Sequence, residues 1–176
     1  AATKKLSRTD LQSDINAIKS DIGNWLVVWG PSYSYPNNDT SKPVDNAMFV
    51  AQALDKNDNP LPLYVVAIAG TNKSSVYDWF SEDLDMTPIN WPYVPNPPQP
   101  MQVTTGDNLG LSTLLALTSD TSTAPSVTLQ QFLAGLQNKN TISLWFTGHS
   151  LGGALAPLMT LALMDPKSRL NTSNNV

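Results

Sequence analysis

The sequence predicts an α/β fold, a central and mostly parallel sheet with flanking helices. Three observations predict it. Leu63 to Ala69 (LYVVAIA) is a near-continuous apolar run, the pattern of a strand buried on both faces. Ile142 to Thr147 is a second strand, and it runs straight into the glycine-flanked turn Gly148-His149-Ser150-Leu151-Gly152. Leu151 to Met164 then continues as an apolar helix, so strand, turn and helix follow one another with no loop between them.

The other elements follow from periodicity and turn chemistry. Thr9 to Trp25 reads as an amphipathic helix, with Thr9-x-x-Gln12 as a capping box and Leu11, Ile15, Ile18, Ile22 and Trp25 on one face. Pro31 to Pro43 is turn-rich. Ala47 to Leu54 is a strand, joined to the Leu63–Ala69 strand by the polar turn Asp55 to Pro60. A short helical segment, Ser75 to Leu84, carries Val76, Trp79 and Phe80. Trp91 to Pro100 is a proline-rich, extended loop. Leu109 to Leu117 and Ser126 to Leu136 are two further helices.

Composition narrows the function classes. At 176 residues the chain is long enough for one domain with a sizeable core, burying roughly 70% of its unfolded surface. Its net charge is −4 and its basic residues are scattered, so it lacks the basic stripe that nucleic-acid binding requires. The absence of cysteine excludes disulfides, thiolate catalysis and Cys-ligated zinc. No apolar run reaches the length of a membrane span; Leu151 to Met164 is interrupted by Pro157 and two glycines. The opening Ala1-Ala2-Thr3 reads as a processed or trimmed end, and Asn38, Asn72 and Asn171 begin sequons that matter only in a secreted eukaryotic protein.

Gly148 to Gly152 fits the nucleophile elbow G-x-S-x-G, in which a serine sits on a strained turn with its Oγ exposed. Three fixed positions arise by chance in about one chain in twenty of this length. The strand before the motif and the helix after it therefore carry the argument. Gly148 and Gly152 have a physical reason, because strand and helix backbones approach too closely there for side chains. Acyl transfer also needs donors aimed at the tetrahedral oxyanion. The backbone N–H of Leu151, the residue after the serine, is one. Thr71, at the end of the buried strand in Ala69-Gly70-Thr71, is well placed as a second, although this segment taken alone also reads as a simple turn.

Order and spacing of three segments resemble the class 3 (fungal-type, Rhizomucor-like) triacylglycerol lipase family. In that family an apolar strand enters an R-G-[ST] segment, followed by a D-W-x-x-D-L-like helix and later by G-H-S-L-G-G-A-L-A. This chain has Val65-Val66-Ala67-Ile68-Ala69-Gly70-Thr71, Asp78-Trp79-Phe80-Ser81-Glu82-Asp83-Leu84 and Gly148 through Ala156 (GHSLGGALA). The resemblance covers about Val65 to Leu163. It implies an α/β-hydrolase fold with Ser150 as nucleophile, Thr71 and Leu151 as the oxyanion hole, and Asn72 to about Met86 as a lid. Val76, Trp79 and Phe80 read equally as lid residues or as ordinary core. Three departures bear on the substrate: Ala69 stands where arginine is usual, Thr104-Thr105-Gly106 where H-x-G often stands, and Pro157 interrupts the helix after the elbow.

The triad partners are the missing part. A serine nucleophile needs a histidine base and an acid to orient it, and in α/β-hydrolases both follow the serine in the chain. After Ser150 there is no histidine, and the only acid is Asp165. Asp165 ends the helix, roughly 20 Å from the elbow at 1.5 Å per residue. His149, the one histidine, neighbours Ser150 on a sharp turn, so its side chain points away, and the resemblance gives it an elbow-shaping role. Residues 1–176 are therefore expected to be the N-terminal portion of a single α/β-hydrolase domain. The C-terminal part, a second chain of the same enzyme if the protein is nicked, is expected to carry the triad Asp and His.

The expected function is a secreted serine ester hydrolase, first a triacylglycerol lipase acting at a lipid–water interface, with an esterase (feruloyl-type) or phospholipase A1 as alternatives. No metal or cofactor and no nucleic acid is implied. A reading of another class is a non-catalytic lipase-like module that binds lipid or a protein.

Overall fold

A computed structural model describes residues 5–35, 39–41, 44, 46–70, 85–93, 99–119, 126–136 and 141–164. In chain order the elements are α1 (Arg8–Ala17), α2 (Lys19–Ile22), β1 (Trp25–Ser34), β2 (Asn46–Leu54), β3 (Pro60–Ile68), β4 (Pro88–Asn90), β5 (Gln102–Thr104), α3 (Thr105–Ala116), α4 (Leu129–Gly135), β6 (Ser143–Gly148) and α5 (Leu151–Met164). Four strands form one sheet in the order β1-β2-β3-β6, and β4 and β5 pair in a separate antiparallel ribbon. The sheet is mixed. β1–β2 and β2–β3 are antiparallel, whereas β3 and β6 run parallel in the register Leu63↔Ser143 through Ile68↔Gly148. That register brings the two strand ends together at the elbow.

One sheet face builds the core. Trp29, Met48, Val50, Val66 and Ile68 pack with Leu111 and Leu114 of α3, Leu129 and Leu133 of α4, and Leu155, Met159 and Leu163 of α5. Helices cross this face because each presents an apolar stripe to it. Gly110 of α3 makes room for Leu155 of α5, whose Cδ1 would lie 3.2 Å from an added Cβ. The indole N–H of the buried Trp29 donates to the Val127 carbonyl at 3.0 Å, tying β1 to the segment before α4.

Several sequence expectations are corrected here. The helix expected from Thr9 to Trp25 ends early: α1 stops at Ala17, α2 at Ile22, and Trp25 begins β1 opposite Ala53. Gly23, at φ 85, turns the chain, and pairing with β2 overrides the helical periodicity that ran through Trp25. Ile18 and Ile22, expected on the buried face, are 47% and 45% exposed. The N-cap is Ser7, in a capping box with Asp10, and not Thr9. Gln12 is engaged elsewhere: it donates to the Trp25 carbonyl at 2.8 Å and accepts from Val27 N–H at 2.7 Å.

Pro31, read as the start of a turn region, lies inside β1. The strand tolerates it because β1 is a sheet edge with irregular pairing around Trp29 and Ser32, and Gly30 takes φ 78 there. The Asp55–Pro60 turn is as expected; Asp55 accepts from the backbone N–H of Asn57 and Asn59 and from the Asn59 amide, which hold its carboxyl below the usual carboxylate range. α3 starts at Thr105, four residues before the expected Leu109, because Thr104 caps it by accepting from Asp107 N–H. Thr128, capping α4 in a box with Gln131, likewise trims the helix expected from Ser126. β4 and β5 are too short to show a periodicity.

Candidate active site

β6 delivers the chain to the elbow at the C-terminal end of the parallel pair. Ser150 adopts φ 55, a left-handed conformation that a residue with a side chain rarely takes. It is solvent-exposed, as is His149. The turn is held by its own backbone: the Gly152 N–H donates to the His149 carbonyl at 3.0 Å, and the Gly153 and Ala154 N–H groups donate to the Ser150 carbonyl at 2.9 and 3.2 Å. Strain at one exposed serine is thus supported by surrounding hydrogen bonds, the arrangement found where backbone strain serves a site.

The glycines expected for close approach are in contact with backbone. A Cβ on Gly148 would lie 2.2 Å from the Gly152 carbonyl carbon, and one on Gly152 would lie 2.3 Å from the Ile68 carbonyl oxygen. Elbow and β3 end are therefore packed backbone on backbone. Gly70 belongs to the same contact, since its Cβ would meet the His149 carbonyl oxygen at 2.6 Å and the Ser150 Cβ at 3.2 Å. The sequence marks Gly70 only as part of a strand-end tripeptide. Its partner lies far along the chain, so no local signal discloses the contact. Leu151 is the first residue of α5, where a backbone N–H has no intrahelical acceptor.

Pro157 does not break α5, which runs through it to Met164. Proline cannot donate to the Gly153 carbonyl; further along, the Thr160 hydroxyl donates to the Ala156 carbonyl at 2.9 Å. Gly153, Ala156, Pro157, Thr160 and Leu161 face Phe146, Thr147 and Gly148 across a groove of about 630 Å³ along the outer side of β6. Among the described residues no strand pairs with that side.

With the strand ends, elbow and following helix in place, the comparisons decide the family. The family described as "Lipase (class 3)" matches residues 65–176. The chain belongs to the class 3 lipases. It is also similar to the crystal structure of M37 lipase, at 29% sequence identity and a TM-score of 0.72, over 93% of this chain and 49% of that one. It therefore spans about half the length of that lipase. No curated protein matches it.

For this class 3 lipase chain the α/β-hydrolase fold expected from the elbow is the fold observed. The structure brings Gly148, His149, Ser150, Leu151 and Gly152 together with Gly70 at one strand end. Thr71, the proposed lid residues Val76, Trp79 and Phe80, and Asp165 lie outside the described residues. Among the described residues no group of three or more His, Cys, Asp or Glu could hold a metal ion, and no helix is long and apolar enough to cross a membrane.

Proposed function

We propose that this chain carries the nucleophile half of a carboxylic-ester hydrolase, foremost a triacylglycerol lipase. One observation carries the reading: Ser150 stands exposed at φ 55 between β6 and α5 in a chain of the class 3 lipase family. In this reading Ser150 Oγ attacks the ester carbonyl. The N–H groups of Leu151 and Thr71 stabilise the oxyanion, a role in which one donor is typically worth about 2.7–4 kcal/mol. A histidine takes the serine proton and passes it to the leaving alcohol, and an aspartate orients that histidine. In this reading His149 shapes the elbow, and the base and its acid are supplied by the rest of the enzyme; this chain spans about half the length of a similar lipase.

The open side of β6 supports that division. β6 and α5 form the first two parts of a strand–helix–strand unit. A right-handed crossover from α5 would bring a following strand beside β6, on the side where the groove lies. We read that groove as the seat of the strand that completes the sheet, supplied by the rest of the same enzyme. Asn72 to about Met86 is read as the lid, with Val76, Trp79 and Phe80 facing lipid when it opens. Exposed Met86 and Leu109 support an apolar rim there; the residues on either side of Met86 accept hydrogen bonds from the first turn of α3, and Leu109 lies one turn further along that helix.

Labelling with a fluorophosphonate tests the assignment. The complete enzyme should take one label, and Ser150→Ala should take none and lose ester hydrolysis. Acyl-chain profiling then separates lipase from esterase and phospholipase A1. An unlabelled native protein without ester hydrolysis would favour the non-catalytic lipid- or protein-binding module.

A further inference from the structure

We propose that Gly70 is a positioning residue for Ser150: its missing side chain sets how closely the end of β3 seats against the elbow. The inference rests on the hydrolase reading above and deepens it. Gly70 is not among the glycines with positive φ, so its backbone is one that alanine can adopt. Conformational freedom is not the reason for glycine here. Clearance is.

An added Cβ would lie 2.6 Å from the His149 carbonyl oxygen and 3.2 Å from Ser150 Cβ, and neither atom can swing aside. The His149 carbonyl is engaged by the Gly152 N–H at 3.0 Å, and the Ser150 carbonyl by Gly153 and Ala154 at 2.9 and 3.2 Å. The opposing body is equally fixed. The Ala69 N–H donates to the Ala47 carbonyl of β2 at 2.8 Å, and Gly152 is already seated on the Ile68 and Ala69 carbonyls.

Relief must come from moving the elbow and the strand end apart as units. Restoring an ordinary carbon–oxygen contact of about 3.3 Å from 2.6 Å requires roughly 0.7 Å. That displacement moves Ser150 and the Leu151 N–H together, away from a base held on a separate part of the polypeptide. Misplacement of this order costs about a hundredfold in rate, because attack requires near-contact geometry.

The test uses the complete enzyme with Gly70→Ala, Gly135→Ala as a control, and Ser150→Ala. Gly135 closes α4, and a Cβ there meets nothing within 4 Å. For Gly70→Ala we expect kcat to fall on the order of 10²-fold with KM within about twofold, and fluorophosphonate labelling to slow in parallel. Gly135→Ala should match the parent. A kcat within about threefold of the parent in folded Gly70→Ala overturns the inference. So does a lowered thermal midpoint with kcat intact, which marks a purely structural glycine. If the parent itself takes no label, the hydrolase reading has failed instead. Should Gly70→Ala not fold, the crystal structure of the parent's phosphonate adduct decides: a Cβ built on Gly70 must still fall 2.6 Å from the His149 carbonyl oxygen and 3.2 Å from Ser150 Cβ, and a gap there overturns the proposal.

Discussion

Val27, Ala51, Val65 and Trp145 stand side by side across one face of the sheet, one from each strand. Val27 and Ala51 are each 4% exposed, Val65 is half-buried, and Trp145 is 62% exposed. The row thus runs from a covered face at β1 to an open one at β6. At the β1 edge, α1 packs along the strand and Gln12 satisfies Trp25 and Val27. Arg8 donates to the Gly30 carbonyl at 2.7 Å, and the Tyr33 hydroxyl bonds the backbone of Leu6. Irregular pairing and Pro31 blunt what remains, a common protection of edge strands. Among the described residues β6 has none of these devices. It presents an exposed tryptophan and a groove, and no strand among the described residues pairs with its outer side.

The difference teaches that the two edges have different purposes, and it can be broken experimentally. The largest effect is expected at Trp145. If β6 is covered in the complete enzyme, Trp145→Lys should destabilise it by about 3 kcal/mol or more, read from urea denaturation. A change within about 0.5 kcal/mol, the range for ordinary surface substitutions, would mean that this face of β6 stays open to solvent and would remove the comparison. At the opposite edge Gln12→Ala frees one carbonyl and one N–H that water can partly reach, costing about 1–2 kcal/mol, with faster hydrogen exchange at Val27 N–H. Unchanged exchange there would mean that Gln12 does not protect the strand. Smallest is Ser7→Ala, which removes the α1 cap at a cost of about 1 kcal/mol or less, and its effect should be confined to α1 and the β1 edge it covers.

Much of the site was legible because its signals are local. G-x-S-x-G needs a strand before it and a helix after it, and the apolar runs at Ser143 and Leu151 supply both within one continuous segment. The N-terminal region was less legible because its signals conflict. Trp25 continues a helical stripe and also begins a strand, and only its pairing with Ala53 decides between them. Gly30 and Pro31 read as breakers unless the strand is known to be an edge with room for a bulge. Gln12 looks like a cap residue until β1 offers it stronger partners.

By itself the sequence determined the family, the nucleophile candidate and the strand–turn–helix that holds it, since each depends on residues close together in the chain. It also determined that no second histidine is available in these residues. Tertiary structure alone decided which edge of the sheet is finished, that Gly70 rests against Ser150, and that the outer side of β6 is a groove. Those facts depend on backbone contacts between segments far apart in sequence, whose approach is fixed only when β3, β6 and the helices pack on one core.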